Sequence, residues 1–229
     1  MRIFISAPIA AIACSLVAFA QPGAIPTPVA APIDSFQVTY AAHLDRGDSV
    51  VNFTNTGALT LPTGLATTGN FCVNVYAFDP AEEMISCCSC LVTPNGLNSL
   101  SVEADILSNT LTPATPSSVI IKLLATTPLG LSAVGTGGSC DPSSPTATPA
   151  GPGVFGSLVP GMRAWGVTLA ALPTNPETYG VIDAPFSPST LSPAELTKLV
   201  LYCSFIQANG SGYGRCNSCR TGGLGGAKR

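Results

Sequence analysis

Four of the nine cysteines lie in one short segment, Phe71–Cys90, and this clustering constrains the fold more than any other feature of the chain. Side chains alternate along a strand, so the first part of the segment, Cys72–Phe78, places apolar side chains on both of its faces. Such a pattern is typical of a strand inside a sandwich. Asp79-Pro80-Ala81 favours a turn, because proline fixes a turn angle and lacks the donor that a continuing strand needs. The segment therefore predicts a central β-hairpin.

The length of the turn decides which cysteines of this hairpin face each other. A three-residue loop, Pro80–Glu82, places Cys72 directly opposite Cys90, at a separation that a cross-strand disulfide can span. A two-residue loop would slip the register by one and lose this pairing. On the second strand, Cys88 and Cys90 share a face while Cys87 points the other way. The three sulfurs therefore cannot all join the same neighbour, and at least one must reach a different part of the chain.

The N-terminal residues indicate export. Residues 1–20 combine one positive charge, an apolar run and the small-x-small cleavage site Ala18-Phe19-Ala20, which is typical of a secretory signal peptide. We expect no transmembrane anchor, because the run is shorter than the roughly 20 apolar residues that a span needs. Lipidation at Cys14 is an alternative, although the residues after it stay apolar. The sequence predicts a protein that is secreted, periplasmic or on the cell surface.

Removal of a signal peptide would also remove Cys14 and leave an even number of cysteines. Even numbers in exported chains indicate disulfide bonds. Beyond the Cys72–Cys90 pair, the connectivity stays open. The disulfide candidates are Cys72, Cys87, Cys88, Cys90, Cys140, Cys203, Cys216 and Cys219.

Charge is scarce in this sequence. Charged residues make up 9% of the chain and the formal net charge is −3. Because no basic patch is available, we expect no binding to nucleic acid. A weakly charged surface is common on extracellular proteins and on subunits that pack into assemblies.

The chain divides by composition into four parts. After the signal peptide, residues 21–33 form a Pro/Ala-rich arm, either a spacer or a strand that adds to the sheet edge of a neighbouring subunit. Residues 34–188 show about seven or eight alternating segments, one of them spanning 97–107, and predict an antiparallel, immunoglobulin-like β-sandwich. Within it, residues 127–160 form a long loop that holds Cys140. Residues 189–229 contain a capped helix, a Cys-x-x-Cys segment and a basic tail that we expect to be disordered.

The helix has clear start and stop signals. Ser192 is the cap, Pro193 occupies the first position, and Glu195 completes a capping box. The helix is expected to run to about Ala208, before an Asn-Gly stop. Cys203 lies on the apolar stripe of this helix, so a disulfide from it would fix the helix to a sheet.

Residues that carry catalysis are scarce. His43 is the only histidine, and no Gly-x-Ser-x-Gly elbow occurs, so hydrolase chemistry is poorly supported. Arg46-Gly47-Asp48 is the tripeptide read by integrins, but a charged turn between strands produces it readily by chance. Asp79, Glu82 and Glu83 form an acidic turn that could bind calcium weakly, and a solvated turn is the simpler interpretation. We therefore name no catalytic residue.

Cys216 and Cys219 admit three interpretations. A redox pair of this spacing needs a strand before it and a helix after it, and here Gly222-Gly223 follows closely. Together with hairpin cysteines, the pair could supply the four thiolates of a zinc site. Structural disulfides agree best with an exported chain. We therefore expect no metal ligand and no cofactor.

Several segments resemble those of uncharacterised exported, cysteine-rich bacterial proteins of unknown function: Phe71–Cys90, Thr93–Gly96, Leu191–Leu196, Phe205–Gly212 and Cys216–Cys219. The resemblance covers most of the mature chain. It implies export to the bacterial cell envelope and disulfide bonds, and it transfers no catalytic residue. We predict an exported, disulfide-stabilised, non-enzymatic binding or structural module that contacts a protein or glycan surface. The alternative is a secreted hydrolase or thiol-redox protein.

Overall fold

The structure is a computed structural model that describes residues 32–59, 69–130, 138–148, 154–172, 175–217 and 219–221. The predicted signal peptide, Cys14, arm residues 21–31 and the tail after Thr221 lie outside the described residues. Within the part that is described, no helix is long and apolar enough to cross a membrane.

The described residues form eight strands of five or more residues, two strands of two residues, and one α-helix. The long strands are β1 (Phe36–Ala41), β2 (Val50–Asn55), β3 (Phe71–Phe78), β4 (Met84–Val92), β5 (Leu97–Ser101), β6 (Val119–Thr126), β7 (Met162–Leu172) and β8 (Asn175–Pro185). The short strands are β9 (Ser187–Pro188) and β10 (Arg220–Thr221), and the helix between them is α1 (Pro193–Ala208).

The strands build two antiparallel five-stranded sheets. The first has the order β4-β3-β6-β1-β9 and the second the order β10-β5-β2-β7-β8. Phe53 and Leu100 of the second sheet share one apolar core with Val73, Val75 and Ile121 of the first. A mainly β protein with two antiparallel sheets and a C-terminal helix is confirmed, and the arrangement is consistent with a sandwich. The immunoglobulin-like connectivity stays a prediction.

Strand β3 is buried along its whole length because its two faces meet different layers. Val73 and Val75 lie in the core shared by the two sheets. Tyr76 and Phe78 point the other way and pack in a second apolar cluster with α1, which includes Leu199. Both faces of β3 are therefore apolar because one packs against the second sheet and the other packs against α1.

The predicted strand over residues 97–107 is too long, because β5 ends at Ser101. Val102–Ile106 form a single helical turn of the π type. The Ser101 hydroxyl accepts a hydrogen bond from the Ala104 N–H at 2.7 Å. The Asp105 carboxylate accepts one from the Ser101 N–H at 2.8 Å. These side chains bind backbone groups that a strand would have paired with its neighbour, and so they end the strand.

Helix α1 begins and ends where the sequence predicted. The Ser192 hydroxyl accepts a hydrogen bond from the Glu195 N–H at 3.0 Å, and Pro193 follows the cap. Past the end of the helix, Gly210 has a φ of +71°, the left-handed conformation of a helix stop. The Glu195 carboxylate lies 2.5 Å from the Lys122 ammonium of β6. The first turn of α1 is thereby tied to the first sheet.

Candidate functional site

All eight cysteines of the disulfide candidates are paired in the structure. The bonds are Cys72–Cys140, Cys87–Cys203, Cys88–Cys216 and Cys90–Cys219. The Cα atoms of the bonded residues are 5.4 to 5.9 Å apart, within the ordinary range of disulfides. Three of the four bonds start from β4. This strand therefore connects the first sheet to α1 on one face and to the C-terminal segment on the other.

The predicted Cys72–Cys90 disulfide is wrong. In the register of β3 and β4, Cys72 lies opposite Leu91 and Cys90 lies opposite Val73. Side chains of neighbouring residues point to opposite faces of a sheet, so the two sulfurs are on different sides. Cys90 points into the core between the sheets, and Cys72 points to the outer face.

A β-bulge, and not the turn, accounts for this register. The Asp79 N–H donates to the Glu83 carbonyl at 3.0 Å, which closes the three-residue loop that the sequence predicted. The pairing then slips between Phe78 and Ala77, because β4 carries one extra residue, Ile85. A bulge of this kind shifts every later pair by one residue, so Cys90 lies opposite Val73 and not opposite Cys72.

Cys216 and Cys219 bond to two different residues of β4 and not to each other. Their partners, Cys88 and Cys90, are two positions apart on one face of the strand, beside the core. Because the two sulfurs are bonded to different partners, they do not form a Cys216–Cys219 redox pair, and sulfurs held in disulfides are not zinc thiolates. Among the residues that the structure describes, no group of three or more His, Cys, Asp and Glu is arranged to hold a metal ion.

The segment after α1 follows the edge of β4. Cys203, on the buried side of α1, bonds to Cys87, so the helix is fixed to the outer face of the strand. The Cys87 N–H donates to the Gly214 carbonyl at 2.8 Å. Gly214 has a φ of +80°, and a Cβ there would lie 2.9 Å from a side-chain carbon of Ile206. Only glycine lets the chain pass this close to the helix.

A disulfide and a buried tyrosine hold part of the long loop 127–160 on the first sheet. Cys140 bonds to Cys72 of β3. The Tyr76 hydroxyl donates to the Pro142 carbonyl at 2.7 Å. Burial raises the pKa of Tyr76, and the Asp141 carboxylate raises it further, so the phenol stays protonated and remains a donor.

The residues between β1 and β2 make structural contacts. His43 packs edge-to-face on Tyr179, with ring centroids 5.0 Å apart. The Asp48 carboxylate accepts hydrogen bonds from the Ser101 hydroxyl and, at 2.9 Å, from the Glu103 N–H. Asp48 therefore caps the π turn, which gives the last residue of Arg-Gly-Asp a role within the fold.

Helix α1 is apolar on two sides. Its buried side packs on the first sheet, while three large apolar side chains face outward: Leu201, Tyr202 and Phe205 are 60%, 45% and 63% exposed. We call these three residues the outer patch of α1. The outer side of a surface helix is normally polar, and contiguous exposed apolar groups mark interaction surfaces. The outer patch is therefore the strongest candidate for a binding surface.

A groove of about 550 Å³ borders the outer patch. This volume is in the range of ligand and peptide sites. Its apolar lining comes from α1, the start of β4 and the segment after the π turn, and its charged lining consists of two carboxylates from the β3–β4 turn. The residues concerned are Met84, Leu111, Tyr202 and Phe205, with Glu82 and Glu83.

A second groove of about 450 Å³ lies on the other side of the patch, beside Leu201. Its lining includes Pro145 of the long loop and Val200 of α1. The outer patch is thus a ridge between two depressions, a shape into which an extended segment of a partner could fit.

The fold and its cysteines define a disulfide-bonded, mainly β protein. No protein-family model matches this chain, and comparisons with curated proteins and with solved structures found no match.

Proposed function

We propose that this protein is an exported, non-enzymatic module of the bacterial cell envelope or extracellular space, which binds another protein through the outer patch of α1. The observation that carries this proposal is the exposed apolar face of a helix that a disulfide holds rigidly on a sheet. A glycan surface is the alternative partner within this proposal.

The four disulfides support export. Disulfides persist in oxidising compartments and are rare in the cytosol. Their number also suits a protein with few charges and long loops, because each covalent link restricts the unfolded chain. Export is in addition what the features of residues 1–20 predict.

The lining of the larger groove supports a partner of a particular chemistry. Tyr202 and Phe205 are aromatic groups of the kind that dominate binding energy at protein interfaces. Glu82 and Glu83 add negative charge at the edge of the groove. We therefore propose that the partner presents an apolar segment that carries Lys or Arg, whose charge complements the two carboxylates.

Self-assembly through arm 21–33 belongs to the same proposal. An extended segment rich in proline can add to the edge of a neighbouring sheet without offering a further edge of its own.

A peptide array tests the proposed binding surface. Short peptides that alternate apolar residues with Lys, and matched peptides with Glu in place of Lys, are probed with the exported protein. We expect binding to the Lys series, and the replacement Phe205→Asp should weaken it by at least about tenfold. Tyr213→Asp is the control, since Tyr213 is 56% exposed and does not line the groove. Equal binding of both series, or equal effects of both replacements, would contradict the proposal.

A further inference from the structure

Strand β8 is the long open edge of the two sheets. The first sheet ends in β4, which α1 and the segment at Gly214 cover, and in β9, which has two residues. The second sheet ends in β10, also of two residues, and in β8, which has eleven. Among the described residues, β8 pairs with β7 alone. From Tyr179 to Asp183, one side of its backbone is therefore available to a further strand.

A single hydrogen bond fixes which residues of β8 face this open side. The Phe186 N–H donates to the Ala164 carbonyl of β7 at 3.0 Å. Backbone groups of successive strand residues point alternately to the two neighbours, and the β7–β8 register is regular from Trp165↔Pro185 to Ala171↔Tyr179. The backbone N–H and C=O groups of the even-numbered residues of β8 thus point toward β7. The odd-numbered donors that face outward belong to Tyr179, Val181 and Asp183.

Two apolar side chains of β8 are also exposed to solvent. Val181 is 71% exposed and Ile182 is 46% exposed, and the two point to opposite faces of the sheet. Natural edge strands are usually protected by lysine, proline or short length. From Glu177 to Ala184, β8 contains no proline and no lysine. A strand added here would pair backbone groups and cover apolar side chains on both faces.

Arm 21–33 of this chain has the complementary pattern. Its four prolines are residues 22, 26, 28 and 32, all of them even-numbered. Its β-branched residues, which favour strands, are Ile25, Thr27, Val29 and Ile33, all of them odd-numbered. In a strand that pairs on one side only, proline is tolerated where the N–H would point away from the partner. The arm can therefore pair through its odd-numbered residues without losing a single donor.

We propose that the arm of one molecule adds as an edge strand to β8 of a second copy, with its odd-numbered residues bonded to Tyr179, Val181 and Asp183. This inference rests on the proposed function, which includes export and self-assembly through the arm, and it adds the strand that receives the arm. It does not depend on the outer patch of α1.

The direction of the chain favours a second copy over the molecule's own arm. The carboxylate of Asp34, the residue directly after the arm, accepts a hydrogen bond from the Gly161 N–H at 3.0 Å, beside the start of β7. The C-terminal end of β8 lies at the same place, because Pro185 of β8 pairs with Trp165 near the start of β7. The molecule's own arm would therefore run parallel to β8. Both sheets are antiparallel throughout, and a second copy is free to supply the arm in the more stable antiparallel direction.

Proline substitutions of opposite parity test the proposal in the exported full chain. Ile25→Pro with Ala31→Pro removes two donors that face β8, whereas the matched pair Ala24→Pro with Ala30→Pro removes two that point away. Sedimentation equilibrium should show self-association of the unsubstituted chain. We expect the odd-numbered pair to weaken it by at least about tenfold and the even-numbered pair to leave it within about twofold.

Two substitutions in β8 complete the test. Val181→Pro removes an outward donor and should abolish association, while Val181→Thr keeps the donor and should retain it. Hydrogen exchange should show concentration-dependent protection of the Val181 and Asp183 amides. Three results would overturn the proposal: no self-association, equal effects of the two proline pairs, or protection of these amides in a monomer. Loss of peptide binding in Phe205→Asp with unchanged self-association would separate this inference from the proposed function.

Discussion

Cys87 of β4 and Cys203 of α1 are joined by a disulfide on the outer face of the first sheet, with their Cα atoms 5.9 Å apart. The next residue of the strand, Cys88, is joined to Cys216 on the opposite face. Residues 203–216 therefore wrap around the edge of β4. The two disulfides, which we call the clamps of β4, hold this segment on both faces of the strand. The Gly214 carbonyl, which accepts from the Cys87 N–H, lies at the edge between the two clamps.

Disulfide connectivity is the most direct test of this arrangement. Non-reducing proteolysis and mass spectrometry of the exported protein should yield peptides joined as Cys72–Cys140 and Cys87–Cys203, because the bulge at Ile85 separates Cys72 from Cys90. A Cys72–Cys90 peptide would show that β3 and β4 pair in the register without the bulge.

The two clamps on β4 should be thermodynamically coupled. The sequence separation of Cys87 and Cys203 is 116 residues, but with the neighbouring clamp intact their bond closes a loop of only about 15 residues. Cys87→Ser with Cys203→Ser should therefore lower the free energy of unfolding by about 3 kcal/mol in urea titrations.

The same double substitution should cost more, about 4.7 kcal/mol, in a chain that already lacks the Cys88–Cys216 and Cys90–Cys219 bonds, because the loop is then long. Replacement of both partners each time leaves no free thiol to exchange. Equal losses in the two backgrounds would contradict the coupling.

Two leucines of α1 should respond very differently to truncation. Leu199 is fully buried against the first sheet, and Leu201 is 60% exposed in the outer patch. Leu199→Ala should lower the free energy of unfolding by about 2 to 5 kcal/mol, because it leaves a cavity. Leu201→Ala, the matched control, should change it by no more than about 0.5 kcal/mol in the same urea titration.

The π turn should make stability depend on pH through Glu103. Burial raises the pKa of Glu103, and the neighbouring Asp48 carboxylate raises it further. A carboxyl whose pKa is raised by folding stabilises the folded state at low pH. This stabilisation is lost as the pH rises from the ordinary glutamate value of about 4.3 through the higher value of the folded state.

Glu103→Gln should therefore increase the free energy of unfolding at neutral pH relative to the unsubstituted protein, and the difference should vanish in acid. Urea titrations across this range measure it. Glu83→Gln, in the β3–β4 turn, is the control for loss of one negative charge. A difference that persists unchanged below the ordinary glutamate pKa would rule out titration of Glu103 as its cause.

Features that depend on near neighbours in the chain could be predicted from the sequence. The hairpin turn, most of the strands and both ends of α1 follow from alternation, proline placement and capping, which involve residues a few positions apart. The side of α1 that carries Cys203 could also be predicted, since helical periodicity alone assigns it. The groove beside α1 could not, because its lining comes from three separate segments.

Only the tertiary structure decided how these elements meet. One extra residue in β4, Ile85, is buried against the core and shifts the register, which sends Cys72 to Cys140 and Cys90 to Cys219. The strand that begins at Leu97 stops early because Ser101 and Asp105 bind backbone groups within the π turn that follows it. A carboxylate from another turn, Asp48, also caps this π turn. Side-chain alternation repeats every two residues and tolerates either register. The choice between registers is made by packing against layers that are distant in sequence.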